Sequence, residues 1–174
     1  MQNSHRPPHY LVDNGIYFIT ASTYHKYPLF DTDKKKNMLK NILKEKAEAF
    51  GVKIFAFVLT DSHYHLLMKI KKGENLPGFI QGINGKSAIS LNEADNVTKR
   101  KVWHNYWDTC IKEEKDFWAR FNYIHHNPVK HGCALHMQDY AFSSYNKWLE
   151  KKGVKWMNDV LRKYPIVDFT KGDD

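Results

Sequence analysis

Asp61-Ser62-His63-Tyr64-His65-Leu66-Leu67-Met68-Lys69-Ile70 is the stretch on which the reading of this chain turns. As a strand it alternates: His63, His65, Leu67 and Lys69 face one way, and Tyr64, Leu66, Met68 and Ile70 the other. Two imidazoles therefore share a face, their Cα atoms roughly 6.6 Å apart at about 3.3 Å of rise per residue. That spacing suits two side chains converging on one metal ion, and equally two half-buried structural histidines. The preceding run, Val52-Lys53-Ile54-Phe55-Ala56-Phe57-Val58-Leu59, is almost unbroken in its apolarity, the pattern of a central strand buried on both faces. Thr60-Asp61-Ser62 supplies the turn between the two strands.

Working outward, Ile16-Tyr17-Phe18-Ile19-Thr20-Ala21-Ser22-Thr23 is β-branched and aromatic, and predicts a first strand. Between it and the apolar run, Leu39, Ile42, Leu43, Ala47 and Phe50 recur at helical spacing, with capping candidates at Asp31-Thr32-Asp33 and a stop at Gly51. After Ile70, the residues Leu76, Phe79, Ile80, Ile83 and Ile89 argue for a second helix, and Gly78, Gly82 and Gly85 argue against it. Gly85-Lys86-Ser87 looks like the end of a phosphate-binding loop, but position 80 is isoleucine where the first glycine belongs and no strand precedes it; that reading is excluded. Residues 102–107 predict a fourth strand. The order β-α-β-β-α-β is that of a ferredoxin-like (split βαβ) α+β domain: a four-stranded antiparallel sheet with helices on one face and the other face free for a further helix or a ligand.

That further helix is predicted over 113–132, where Phe117, Phe121 and Ile124 make an apolar stripe and Asp116, Arg120, Tyr123 and Asn127 share another face. Pro128 is expected to end it, with Gly132 beyond. The tail adds Tyr140-Ala141-Phe142-Ser143-Ser144-Tyr145 and a basic helix around Trp156, Met157, Val160, Leu161 and Tyr164, its aromatic residues expected against the sheet. All 174 residues are read as one domain, with a core at about 10–148 and a basic extension at 149–174.

Composition narrows the partners. A hydrophobic fraction of 42% with 14% aromatic residues excludes general disorder. No apolar run approaches the ~18–20 residues that span a bilayer, and residues 1–8 lack the apolar core of a secretory leader. Two cysteines, Cys110 and Cys133, make no disulfide framework. The expectation is a reduced, cytoplasmic protein, monomer or homodimer. Net charge is +8, with basic runs at 34–36, 69–72, 99–101 and 151–152, which favours a polyanionic partner.

The candidate chemistry then centres on few residues. His63 and His65 are metal-ligand candidates, suited to Mn, Zn, Fe or Ni, and to Mg where phosphate oxygens complete the shell. Asn127 is a candidate third ligand, because its amide oxygen can coordinate and it lies one turn beyond Tyr123. Tyr123 is the candidate nucleophile; a phenol of pKa about 10 needs a base or a metal to help it at neutral pH.

His63-Tyr64-His65 resembles the His-hydrophobic-His motif of the HUH endonucleases. Tyr123-Ile124-His125-His126-Asn127-Pro128-Val129-Lys130-His131-Gly132 resembles the Tyr-Ile-x-x-Asn-Pro-x-x-x-Gly signature of the REP-associated tyrosine transposases, relatives of the single-strand insertion-sequence transposases. The likeness covers roughly residues 10–148, with the glycine-rich 78–85 segment and the tail beyond Glu150 outside the pattern. It implies a metal-dependent single-strand DNA endonuclease and strand transferase acting on hairpin DNA with a short guide sequence on its 5′ side. Carried over by position, His63, His65 and Asn127 would hold a divalent ion, Mg or Mn. Tyr123 would form a 5′-phosphotyrosine link and release a 3′-OH. Two other readings stay open: a non-catalytic ferredoxin-like module binding single-stranded nucleic acid through aromatic residues on its sheet, and a zinc hydrolase.

Overall fold

The structure, a computed structural model, describes residues 11–169; the expectation of no apolar leader at 1–8 lies outside the described residues. The elements run β1 (Ile16–Thr23), α1 (Asp33–Ala49), β2 (Lys53–Leu59), β3 (His63–Lys69), α2 (Leu76–Ala94), β4 (Trp103–Ile111), α3 (Glu114–Lys130), α4 (Tyr145–Lys152) and α5 (Val154–Lys163). The sheet is antiparallel throughout, in the order β2-β3-β1-β4, which is the α+β arrangement expected. The histidine strand is thus internal, with β1 on one side and β2 on the other. Register sets His65 opposite Thr20 and His63 opposite Ser22, and residues directly opposite each other share a face.

The period-2 alternation of β1 and β3 divides the core. Tyr17, Ile19 and Ala21 with Tyr64, Leu66 and Met68 are buried together, on the face bearing α2, where the Tyr64 hydroxyl donates to Asn84 Oδ1 at 2.9 Å. Phe18 and Thr20 with His63, His65 and Leu67 lie on the other face, which α3 covers over β2 and β3.

Three expectations are corrected. β2 is an edge strand, not a central one. Its apolar run is buried because residues 140–148 close the edge: Leu59 N–H donates to Phe142 O at 2.9 Å, Ser144 N–H to Phe57 O at 3.0 Å, and Trp148 Nε1–H to Phe55 O at 2.7 Å. An exposed edge of this hydrophobicity would invite pairing with another chain. Pro128 does not end α3, which continues to Lys130; a proline in the last turn forfeits one hydrogen bond, and Gly132 at φ +69 then turns the chain out. The tail aromatics divide: the Tyr140 hydroxyl donates to Leu59 O of β2 at 2.6 Å and Phe169 lies 6.2 Å from Phe18 of β1, whereas Trp156 and Tyr164 pack on Trp118 of α3 rather than on the sheet.

Two open points are resolved. The glycine-rich segment is a helix, because Leu76, Phe79, Ile80, Ile83 and Leu91 are all buried. A Cβ on Gly78 or Gly82 would meet Phe50 at 3.4 Å or Lys46 at 3.3 Å, so these glycines let α2 approach α1 closely. β4 runs on to Ile111, past the predicted end at 107, since pairing with β1 as far as Ile16 holds it in the ladder.

Candidate active site

Each predicted site residue sits on β3 or α3, and the fold brings all four together. His63 Nε2 lies 3.0 Å from Asn127 Oδ1, which joins the internal strand to the last turn of α3. The His63 and His65 ring centroids are 5.0 Å apart. The Tyr123 ring stands edge-on to His65 at 5.3 Å and edge-on to Phe18 at 6.1 Å. His65 and Asn127 are fully buried, and His63 and Tyr123 nearly so, at 7% and 1% exposure.

The hydrogen bonds around the imidazoles bear on whether these residues fit a metal. His65 Nδ1 is bonded to Thr20 Oγ1 at 2.8 Å, and His63 Nδ1 to Thr60 Oγ1 at 2.9 Å. A hydroxyl holding Nδ1 fixes the ring and leaves Nε2 as the coordinating nitrogen, the usual outer support of a metal-bound histidine. Asn127 turns its amide oxygen to His63, although this leaves Nδ2 buried with no hydrogen-bond partner among the described residues. His63 Nε2–H donates to Asn127 Oδ1 at 3.0 Å, so an ion bound by both atoms would take the place of that hydrogen bond. The donor set of two imidazoles and an amide oxygen therefore fits a divalent ion of borderline hardness. Among the described residues no three His, Cys, Asp or Glu side chains gather into a group that could hold a metal ion.

Several neighbours escaped the sequence reading. His131 places its ring 4.9 Å from that of His63; it lies one turn beyond Asn127, hidden by the assumption that Pro128 closed the helix. Lys130, which the sequence reading did not single out, and Arg120, which it had already placed on the face of Tyr123, flank that residue along one helical stripe, at i+7 and i−3. The Lys130 ammonium sits 5.6 Å from the Tyr123 ring centre. The Arg120 guanidinium lies between Phe18 at 5.5 Å and Phe169 at 4.2 Å, and its Nε is buried without a hydrogen-bond partner among the described residues. Asp116 is its nearest carboxylate, at 3.5 Å, and burial holds the guanidinium pKa below its ordinary value. Thr20 and Thr60 left no signal in the sequence, because only the sheet register and the turn bring them to the rings.

The rival tyrosines are unsuited. Tyr64 faces the opposite layer, and burial pushes its pKa up; Tyr106 is likewise raised by burial. The Tyr123 ring also meets Phe169 edge-on, 5.7 Å away between ring centres.

A protein-family model described as "Transposase IS200 like" matches residues 12–127, the span from the first strand to Asn127. A REP-associated tyrosine transposase of Escherichia coli is 22% identical over 167 residues, covering 94% of this chain and 94% of that protein. A Haemophilus influenzae protein described in the same terms is 25% identical over 143 residues, 76% of this chain and 81% of its own length. Among solved structures, a REP-associated tyrosine transposase bound to a REP hairpin superposes with a TM-score of 0.70 at 22% identity, over 100% of this chain and 98% of that one. The match thus runs through the end of α4 and through α5, beyond the residues 10–148 that the sequence likeness covers.

Proposed function

The chain belongs to the family of IS200-like transposases, and from that premise we propose that it cuts and rejoins single-stranded DNA beside a hairpin, with Tyr123 as nucleophile. The observation that carries the reading is the convergence of His63, His65, Asn127 and Tyr123 from β3 and α3 onto one patch of the sheet. A divalent ion, Mg or Mn, held by His63, His65 and Asn127 would supply charge stabilisation to the phosphoryl oxygens as the bond breaks. Thr20 and Thr60 keep the two imidazoles oriented toward it.

The remaining work falls to the chain's own side chains. The Tyr123 oxygen attacks phosphorus and loses its proton; the phosphorus–O3′ bond breaks, and the departing oxygen takes up a proton to become a 3′-OH. The downstream strand stays on the tyrosine through its 5′ phosphate, and this phosphodiester keeps the bond energy for rejoining without a nucleotide cofactor. Arg120 and Lys130, on either side of Tyr123, neutralise the phosphate as it arrives. Arg120 brings an Nε that has no hydrogen-bond partner among the described residues. The aromatic ring of Tyr123, packed against His65 and Phe18, holds the hydroxyl over the site.

The near-complete burial of Tyr123 also suits a second reading, a hairpin-binding module with no chemistry. Tyr123→Phe separates them. The variant keeps the ring contacts and should fold and bind hairpin DNA as the parent does. The parent, given Mn²⁺ and a hairpin with unpaired flanks, should yield a protein–DNA adduct that survives denaturing electrophoresis, and the variant none. An adduct that persists in Tyr123→Phe would remove Tyr123 from the chemistry, and no adduct from the parent would leave the binding module.

A further inference from the structure

On the sheet face that carries His63 and His65, α3 packs over β2 and β3, and Tyr123, Arg120 and Phe169 reach Phe18 of β1. At its far edge β4 turns His104, Trp107 and Thr109 to solvent, with Trp107 40% exposed. Register places Trp107 opposite Thr20, whose hydroxyl holds His65. An exposed indole therefore stands one strand away from the candidate ligands, on their side of the sheet.

It is the end of a row. Tyr27, His25, Tyr24, His104 and Trp107 follow one another with ring centroids 5.7, 4.1, 6.4 and 6.2 Å apart. Tyr24 is half-buried and the other four are exposed. The Lys101 ammonium lies 4.5 Å from the Tyr24 ring centre, and Lys26 and Lys99 stand in the flanking turns. Three residues of this corner, His25, Lys26 and Lys99, hold φ of 53, 56 and 58. Non-glycine residues adopt that left-handed backbone at a cost, and such strain gathers where a side chain has to be aimed. Rings left in water add nothing to the core, and a contiguous exposed row marks a docking surface.

We propose that this row is a stacking platform for unpaired nucleotides of the DNA, and that it leads the strand across β4 and β1 to Tyr123. The proposal rests on the transposase reading above and adds where the substrate lies. Flat faces with cations beside them fit bases joined by phosphates: the rings take the bases and the lysines the backbone. Continuity with the ligand pair, through Thr20, sets the direction of the strand.

The test compares the full-length protein with Trp107→Ala and Trp107→Phe on three DNAs: a hairpin with no flank, one with an unpaired 5′ flank and one with an unpaired 3′ flank. 2-Aminopurine in the flank reports stacking by quenching. The parent should bind one of the flanked hairpins more tightly than the bare one. Trp107→Ala should lose about 5- to 150-fold of that added affinity, with loss of quenching, and should still bind the bare hairpin as the parent does. Trp107→Phe should restore most of the gain. If the parent gains affinity from a flank and Trp107→Ala keeps the gain and the quenching, the platform is refuted and the transposase reading stands. If the parent binds no hairpin at all, both fall. A change confined to self-association, seen as a concentration-dependent mass that Trp107→Ala abolishes with DNA binding intact, would make this face a contact between copies and refute the platform as well.

Discussion

His125 offers a test that depends on the fold and on no assumption about catalysis. It lies on the side of α3 away from Tyr123, packed edge-on against Phe121 at 4.3 Å and Tyr145 at 5.7 Å. Its Nε2 is bonded to Ser144 Oγ at 2.8 Å, and Ser144 in turn accepts from Phe57 N–H at 3.0 Å. Burial without a charged partner lowers its pKa from 6.5 to about 3. The folded protein thus refuses a proton that the unfolded chain accepts below 6.5, so this contribution to stability is whole above 6.5 and drains away as pH falls toward 3. Between pH 7 and pH 5 the loss works out at about 2 kcal/mol, because each pH unit below 6.5 removes ~1.4 kcal/mol and ~1.5 such units are crossed. That is a large share of a typical domain's roughly 5–15 kcal/mol. The assay is urea unfolding at both pH values, for the parent and for His125→Gln. The variant should be less stable at pH 7, having lost the ring contacts, but its loss on acidification should be smaller than the parent's by about 2 kcal/mol. His126, whose pKa burial also lowers, is common to both proteins and cancels in the difference. Equal losses in parent and variant would show that His125 can be protonated in place, and the burial argument would be wrong.

Other outcomes follow from the site. Thr20→Val keeps the shape but removes the hydroxyl on His65, and should weaken Mn²⁺ binding by about 10- to 100-fold in calorimetric titration; unchanged binding would strip Thr20 of its orienting role. His63→Ala or His65→Ala should abolish cleavage while hairpin affinity, measured by gel shift, stays close to the parent's. Asn127→Ala, losing one of three proposed ligands, should slow cleavage less; full activity in either histidine variant, or of the parent in excess chelator, would take the metal out of the mechanism. Hairpin affinity should fall steeply between about 50 and 200 mM salt, as counterion release at the basic surface requires, and a flat dependence would point away from phosphate contacts.

The sequence by itself determined the alternation that puts His63 and His65 on one face, because a strand has period two whatever surrounds it. It determined equally that Tyr123 and Asn127 share a stripe of one helix, which about 3.6 residues per turn dictates. From those periods and the order of elements came the sheet, its helices and the short roster of reactive groups. What no local pattern could carry was decided by contacts between residues far apart in the chain. β2 read as central because hydrophobicity reports burial and not the neighbour that causes it, and residues 140–148 turned out to be that neighbour. Three glycines counted against α2, yet its packing on α1 and the sheet outweighed their propensity. Thr20 and Thr60 at the imidazoles, His131 beside His63, and the ring row from Tyr27 to Trp107 each depend on register or on where a turn delivers its residues. Periodicity is a property of a segment and can be read along it; proximity is a property of the closed chain, and exists only after the chain has folded.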